Sequence, residues 1–257
     1  MKIKFYAEPQ NKEMFLDQFE ETQDKADFIY THFESVKEKC KAILCPATNV
    51  DHLGSVDPDI KVFHLTDSKF LLENVKATAE HTISLMLQTA KLVGKELSGA
   101  NVVLLGGNGR VATQVSKMLQ GFTNEIYKVD LHNLNLLGDY LRDADIFSIH
   151  INSNISNEGF VDYDILSYCE KKPIVINTAR GAVLDGYGLL EAYDKGVITG
   201  FGLDVVDTYN NDIKEAIAMC PHAVWTNHVA GKSIKSRLAT DEFVLKEAVR
   251  WAYSNPK

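Results

Sequence analysis

The sequence predicts an α/β protein of two domains built on doubly wound parallel sheets. Short apolar runs alternate with helical patterns along all 257 residues, which is typical of strands separated by covering helices. Several runs are apolar at nearly every position, as strands buried on both faces require. At roughly 150 residues per domain, the length corresponds to between one and two domains.

Ten segments are predicted as strands because they are short, apolar and bounded by turn residues. In chain order they are Ile3–Ala7, Phe28–His32, Ala42–Pro46, Val62–Leu65, Val102–Gly106, Ile126–Asp130, Ile146–Ile151, Ile174–Thr178, Ile198–Asp204 and Val224–His228.

Two long helices are predicted to connect the domains. Lys69–Glu96 contains no Pro and a single Gly, and its apolar residues recur at helical spacing over about seven turns. Ser233–Tyr253 carries Leu238, Leu245 and Val249 on one stripe. We expect the first helix to lead from a small first domain into a larger second one, and the other to carry the chain back.

The composition argues against several classes of protein. The 27 Lys and Arg against 35 Asp and Glu give a net charge of −8, so nucleic acid is not an expected partner. The longest apolar runs are far too short to span a bilayer, and the first residues reach Glu8 before a signal core forms. The four cysteines form no C-x-x-C pair. We expect a cytoplasmic protein with free thiols and no metal or membrane partner.

A glycine-rich turn follows the predicted strand Val102–Gly106. Gly107 and Gly109 fit the first two positions of a G-x-G-x-x-G pattern, and Ala112 stands at the third. We expect Gly107 to permit the tight turn, Gly109 to let a pyrophosphate approach the backbone, and Ala112 to allow close helix packing. The N–H groups of the following helix start would face the phosphates. A plain structural turn is the alternative explanation of these glycines.

A carboxylate stands at the end of the next predicted strand. Asp130 lies about 20 residues beyond the glycines, where an acid can accept the ribose hydroxyls of NAD. Leu131, His132 and Asn133 follow, so no Arg or Lys stands there to hold a 2′-phosphate. The pattern therefore predicts a Rossmann-type domain that binds NAD rather than NADP.

Three later strands end in polar residues that suit a chemical reaction. Arg180, Asp204 and His228 each follow a predicted strand, and the carboxyl ends of parallel strands meet at one edge of a sheet. Arg presents a planar fork to a carboxylate, and His can carry the proton that accompanies hydride transfer. Taken singly, they are as well explained by an ion pair, a turn cap and a structural histidine. Together they predict an active site.

The chain resembles the D-isomer-specific 2-hydroxyacid dehydrogenases over roughly residues 42 to 232. The matching stretches, in family order, are ATAEHTISLML from Ala77, the glycine turn, DADIFSIH from Asp143, INTARGAVLD from Ile176, GLDV from Gly202 and NHVAG from Asn227. The resemblance implies a Rossmann-type sheet with a second, smaller flavodoxin-like α/β domain. It also implies an NAD-dependent oxidoreductase that interconverts a small 2-keto acid and a D-2-hydroxy acid, and a homodimer.

The resemblance also implies a role for individual residues. Arg180 would bind the substrate carboxylate and polarise its carbonyl, His228 would be the general acid/base, and Asp204 would contact the nicotinamide end. The other implied positions are Arg110 and Val111 at the pyrophosphate, Ile151, Thr178, Ala179 and Gly231 along the cofactor, Thr82 near the nicotinamide, and Asn49 in a loop that holds the substrate carboxylate.

One departure from the family concerns the catalytic acid. Tyr209 stands where the family has the Glu that orients the histidine and raises its pKa. Asp207, two residues earlier, is the nearest acid and our candidate for this role. A remote acid such as Asp241 or Glu242 is a second possibility, and impaired catalysis is a third. An impaired relative would act as an NAD(H)-responsive regulatory or partner-binding protein.

The predicted domain boundaries follow from the motifs. Residues 1–77 with 233–257 are assigned to the substrate domain, and residues 78–232 to the NAD-binding domain. We expect the active site in the cleft between them. The first domain is shorter than is usual for the family, and Ile151 is followed by Asn152 where the family commonly has Pro.

Overall fold

Two parallel sheets organise the chain in a computed structural model that describes residues 1–32, 34–48, 50, 53–66, 68–206 and 211–255. The predicted α/β class is confirmed. The elements, in chain order, are β1 (Lys2–Phe5), α1 (Lys12–Leu16), β2 (Glu20–Glu21), β3 (Phe28–Tyr30), β4 (Ala42–Leu44), β5 (Lys61–Phe63), α2 (Ser68–Asn74), α3 (Ala77–Leu92), β6 (Val102–Leu105), α4 (Arg110–Leu119), β7 (Ile126–Val129), α5 (Leu137–Arg142), β8 (Ile146–Ile149), α6 (Tyr163–Leu166), β9 (Ile174–Asn177), α7 (Gly186–Asp194), β10 (Gly200–Leu203), α8 (Asn211–Met219), β11 (Ala223–Trp225) and α9 (Ile234–Ser254).

The chain divides into two compact units. The first holds Met1–Val75 and the C-terminal segment from Lys232, and the second holds Lys76–Gly231. Each of the ten predicted strands overlaps an observed strand. The additional strand, β2, escaped prediction because it consists of two exposed glutamates with no apolar signal.

The first unit contains a five-stranded sheet in the order β2-β1-β3-β4-β5, the flavodoxin-like arrangement. Its core is rich in aromatic rings, such as Phe15 and Tyr30, whose centroids lie 5.1 Å apart. The predicted C-terminal helix is confirmed as α9, whose Ser233 side chain caps its start. Its buried stripe includes Leu245 and Ala248, whereas Leu238, which we expected on that stripe, is 37% exposed.

The second unit contains a six-stranded sheet in the order β7-β6-β8-β9-β10-β11. Every residue of β6, β8, β9 and β10 is buried, as the continuous apolar runs predicted. The order reverses at β6, which lies between β7 and β8. Ligands of open α/β sheets bind outside the carboxyl ends of the strands at such a reversal.

The predicted single helix over Lys69–Glu96 is wrong. The chain forms α2 and α3, with a break at Val75–Lys76 that coincides with the boundary between the units. Leu71 of α2 belongs to the core of the first unit, while Leu85 of α3 belongs to that of the second. Both helices have apolar residues at helical spacing, because each buries one face, so the spacing continues across the break. The spacing does not show that the two faces are buried in different cores.

No helix in the described part of the chain combines the length and the apolar character that a membrane crossing demands. No group of three or more His, Cys, Asp or Glu side chains in it could hold a metal ion.

We predict that Gly202→Ala destabilises the second unit. A Cβ at Gly202 would lie 2.7 Å from Thr89 Oγ1 and 3.2 Å from Leu85 Cβ, because α3 packs directly on β10 at this position. Overpacking of this kind costs about 1–3 kcal/mol of unfolding free energy, which urea denaturation can measure. Gly231→Ala is the matched control, since its Cβ would meet no atom within 4 Å. Equal stability of the two variants would contradict the prediction.

Candidate active site

The glycine turn after β6 is built by close backbone contacts. The left-handed residue is Gly106, at φ +80°, and a Cβ there would lie 2.8 Å from the carbonyl carbon of His150. Gly107, which we expected to supply the tight turn, is instead required by β7, because its Cβ would lie 2.5 Å from Lys128 Cβ. The sequence pattern could not assign these two functions within a Gly-Gly pair. A Cβ at Gly109 would lie 3.0 Å from the Gly106 carbonyl oxygen.

The start of α4 and the end of β7 have the groups that a dinucleotide needs. Gly109 caps α4, and the first N–H groups of a helix lack acceptors within it, so they can bind phosphate. The Asp130 carboxylate lies beside the turn and accepts the Asn108 N–H at 2.9 Å. Arg110 and Val111 are half-buried in the first turn of α4, and burial lowers the pKa of the Arg110 guanidinium. These features fit NAD.

Two exposed apolar side chains follow the strands on either side of β6. Leu131 comes after β7 and is 93% exposed, and Ile155 lies in the segment after β8 and is 97% exposed. Sequence reasoning did not single out either one as a contact. Ile151, which we did predict as a cofactor contact, is partly buried against the core of the second unit.

The loop after β9 carries Arg180 and is held by a buried asparagine. The Asn177 side chain donates to the Arg180 carbonyl and accepts the Ala179 N–H, both at 3.0 Å. Thr178 and Thr82 are buried with their hydroxyl oxygens 2.8 Å apart. Arg180 is exposed and donates one N–H to the Ala179 carbonyl at 2.7 Å. The guanidinium therefore has further donors for a ligand.

The loop after β11 is tied to Asp204, the residue that follows β10. Asp204 is 1% exposed, and its carboxylate accepts the Thr226 hydroxyl at 2.6 Å and the N–H groups of Val229 and Ala230 at 2.8 and 3.0 Å. The Asp204 carbonyl accepts the His228 N–H at 2.9 Å. His228 lies between these bonds in the left-handed region, at φ +50°.

His81 of α3 extends this network and was not predicted from the sequence. Its Nε2 lies 2.9 Å from the Thr226 hydroxyl oxygen and 3.5 Å from the Asp204 carboxylate. Thr226 has one hydroxyl hydrogen, which it donates to Asp204, so its oxygen accepts from His81 and His81 Nε2 carries a hydrogen. The ATAEH stretch contains this histidine, but only the fold shows which side chains it meets.

One pocket of about 600 Å³ brings the predicted strand ends together. Arg180, Asp204 and His228 line it, along with Trp225 and Asn227. The pocket opens at the carboxyl edge of the second sheet, where β9, β10 and β11 end. A guanidinium that can bind an anionic group and an imidazole that can exchange a proton therefore line one pocket, which is large enough for a small ligand.

The remaining predicted positions divide into two groups. Asn49, Asp207 and Tyr209 lie outside the described residues. Of the remote acids, Asp241 is buried in the first unit with both oxygens accepting hydrogen bonds, and Glu242 is exposed and paired with a lysine.

Comparison with known families identifies this architecture. Residues 68–230 match the NAD-binding domain of the D-isomer specific 2-hydroxyacid dehydrogenases. The chain belongs to this family. The predicted resemblance and the NAD-binding domain are therefore confirmed, while the residue roles stay predictions.

The chain is also similar to individual relatives, and it spans less than half the length of the D-lactate dehydrogenases that it matches. It is 28% identical to a D-lactate dehydrogenase of Streptococcus agalactiae over 129 residues, 46% of this chain and 39% of that protein. It is 24% identical to a glyoxylate reductase of Thermofilum pendens, covering 81% of this chain and 71% of that protein. The NAD-complexed structure of a Lactobacillus delbrueckii D-isomer specific 2-hydroxyacid dehydrogenase has a TM-score of 0.79 at 16% identity and covers 100% of this chain and 98% of that one, a likeness in fold.

In the second unit, we predict that His150 makes the stability depend on pH. Burial lowers the pKa of His150 to about 4 from its ordinary 6.5. Between these values the unfolded chain binds a proton that the folded chain excludes, so stability falls as pH decreases. The slope is at most about 1.4 kcal/mol per pH unit.

Urea denaturation of the wild type and His150→Asn between pH 7.5 and 4.5 measures this effect. The variant cannot titrate at this position, so its stability should fall less steeply than that of the wild type. Parallel curves for the two proteins would contradict the assignment to His150.

Proposed function

We propose that this chain is an NAD-dependent oxidoreductase that interconverts a small 2-keto acid and the matching D-2-hydroxy acid. The observation that supports this proposal best is the pocket lined by both Arg180 and His228, in a chain with the NAD-binding domain of this family. Relatives named D-lactate dehydrogenase and glyoxylate reductase agree with a small substrate of this class. A homodimer remains the expectation from the family.

The cofactor would lie along the carboxyl edge of the second sheet. When bound, NAD supplies or accepts the hydride. The α4 start would hold the pyrophosphate, Asp130 would accept the ribose hydroxyls, and the exposed Leu131 and Ile155 would supply apolar contacts to the adenine. The further proposed contacts are Arg110, Val111, Ile151, Thr178, Ala179, Asp204 and Gly231.

Arg180 and His228 divide the chemistry of the substrate. Arg180 binds the carboxylate through its planar fork and polarises the adjacent carbonyl oxygen. During reduction His228 donates a proton to that oxygen, and during oxidation it removes the proton from the hydroxyl. Asn49 stays the proposed residue of the carboxylate-binding loop, and Asp207 the proposed acid partner of His228.

Asp204 and His81 act as positioning residues for His228. Asp204 bonds the N–H groups of His228, Val229 and Ala230 through its carbonyl and carboxylate oxygens. This holds His228 in a left-handed conformation that costs free energy without such support. His81 keeps the Thr226 hydroxyl directed at Asp204.

The activity is tested by NADH oxidation with a panel of 2-keto acids. We expect turnover by the wild type and a loss of about 100-fold or more in kcat/KM for Arg180→Met, because the developing charge on the carbonyl oxygen loses its donors. Arg180→Lys should retain only part of the rate, because lysine keeps the positive charge but cannot form the bidentate pair with the carboxylate. Arg142→Met, at an exposed arginine paired with Asp139, is the matched control.

Two outcomes would contradict the proposal. A protein that binds NADH, as measured by fluorescence titration, but turns over none of the 2-keto acids would favour the NAD(H)-responsive regulator instead. An unchanged rate for Arg180→Met would exclude Arg180 from the substrate site.

The positioning network is tested by Thr226→Val, which removes one hydroxyl with little change in shape. A hydrogen bond to a charged group contributes about 1.5–3 kcal/mol, so we expect kcat to fall about tenfold or more while NADH affinity stays unchanged. Thr226→Ser should restore the rate, and His81→Phe should reproduce the loss of kcat that Thr226→Val causes. A loss confined to KM would contradict a positioning role.

A further inference from the structure

One large aromatic side chain of the candidate pocket has no role in the proposed function. Trp225 ends β11, lines the pocket together with Arg180 and His228, and is 40% exposed. Tryptophan is highly buried on average, because its ring is large and mostly apolar. Ligand pockets are lined mainly by hydrophobic and aromatic side chains, with a few polar groups that fix the orientation of the ligand. An accessible indole beside an arginine and a histidine therefore indicates a contact for the apolar part of a ligand.

The direction of the Trp225 side chain follows from the alternation of side chains along β11. Successive side chains of a strand point to opposite faces of the sheet. Val224 packs against the core that α3 covers, and the Thr226 hydroxyl lies 2.9 Å from His81 of α3. Trp225 stands between these two residues, so it points to the opposite face. On that face α8 contacts β11.

Two valines extend the apolar surface that Trp225 begins. Trp225 pairs with Leu203 across β10 and β11, and Val205 follows two residues beyond Leu203. Val205 and Val206 both line the pocket. Val205 is buried, and Val206 packs against the core of the second unit, so the backbone holds this surface in place. The pocket thus combines polar groups for a keto acid with an apolar surface for the rest of the molecule.

Trp225 lies at the end of the sheet where the substrate is proposed to bind. β11 is the edge strand farthest from β7. It lies four strands from β6, or about 19 Å at the usual spacing of roughly 4.8 Å per strand. The glycine turn proposed for the pyrophosphate follows β6, whereas His228, proposed for the substrate proton, follows β11. The position of Trp225 therefore favours a contact with the substrate over a contact with the phosphates.

We infer that Trp225 determines substrate specificity, and that the substrate is a 2-keto acid with a bulky apolar side chain that packs on the indole. This inference rests on the proposed function and narrows its substrate class. With the carboxylate on Arg180 and the keto oxygen at His228, the side chain of the substrate is the part left to contact Trp225. A cationic side chain is disfavoured, because Lys214 lines the pocket along with Arg180 and like charges repel.

Kinetics with pyruvate and phenylpyruvate test the inference, because these acids differ by a phenyl group on one carbon. A hydrophobic contact discriminates a single methylene by about tenfold or more, so the wild type should have at least this preference in kcat/KM for phenylpyruvate. Trp225→Ala should lower the ratio of the two kcat/KM values about tenfold or more, and Trp225→Phe should lower it less. Trp251→Phe is the matched control and should keep the ratio, because this second tryptophan packs against Phe28 and Phe63 in the first unit.

Calorimetry gives a readout that does not need turnover. Each keto acid is titrated into the full chain in the presence of NAD⁺, the oxidised cofactor, which cannot reduce it. We expect phenylpyruvate to bind about tenfold or more tightly than pyruvate, and Trp225→Ala to lose most of this difference. Circular dichroism checks the folding of each variant, and Trp225→Phe keeps the test valid if Trp225→Ala does not fold.

Three results would overturn the inference. They are equal kcat/KM for pyruvate and phenylpyruvate, a Trp225→Ala variant in which only the KM for NADH rises, and a preference for a dicarboxylic 2-keto acid that Lys214→Met abolishes. The second result would assign the indole to the cofactor, and the third would assign this part of the pocket to a second anionic group.

Failure of this inference is distinct from failure of the proposed function. Turnover of both acids without a preference contradicts the role of Trp225 and leaves the oxidoreductase activity in place. Lack of turnover of every 2-keto acid contradicts the activity, and the calorimetry with NAD⁺ then decides whether Trp225 contacts an apolar side chain.

Discussion

The candidate site depends on the buried carboxylate of Asp204. A carboxylate can be taken out of water only if hydrogen bonds replace its hydration. Here the hydroxyl of Thr226 and two backbone N–H groups supply them. These donors belong to the residues around His228, so satisfying the buried charge also fixes the loop that presents the imidazole. Burial, local backbone conformation and proposed chemistry are therefore linked through one side chain.

Close packing in the second unit also brings α3 to the candidate site. Gly200 and Gly202 leave no space for a Cβ, so the helix lies directly against β10. The same helix contacts β11, and His81 thereby meets Thr226. The glycine turn follows the same rule, because the neighbouring strands approach the backbone at Gly106 and Gly107 more closely than a side chain allows.

Strand positions were predictable because they depend on local composition. Continuous apolar runs predicted β6, β8 and β9. The helical spacing of apolar residues predicted α9, which begins directly after its capping residue, Ser233. Errors arose where two structures share one local pattern. The period over Lys69–Glu96 is the same for one helix or two, and a Gly-Gly pair does not show which glycine adopts positive φ.

Sequence patterns alone predict the α/β class, the glycine turn with its acid, and the three strand ends that carry Arg180, Asp204 and His228. These follow from periodicity, residue chemistry and the parallel direction of the strands, all of which are local or general properties. Packing at long range is needed to show that Asp204 bonds the His228 loop, that His81 joins it, and that Asp241 accepts the Tyr30 hydroxyl and the Gln10 N–H. Such pairings join residues up to 231 positions apart, and hydrogen-bond partners at that separation are set by packing rather than by sequence spacing.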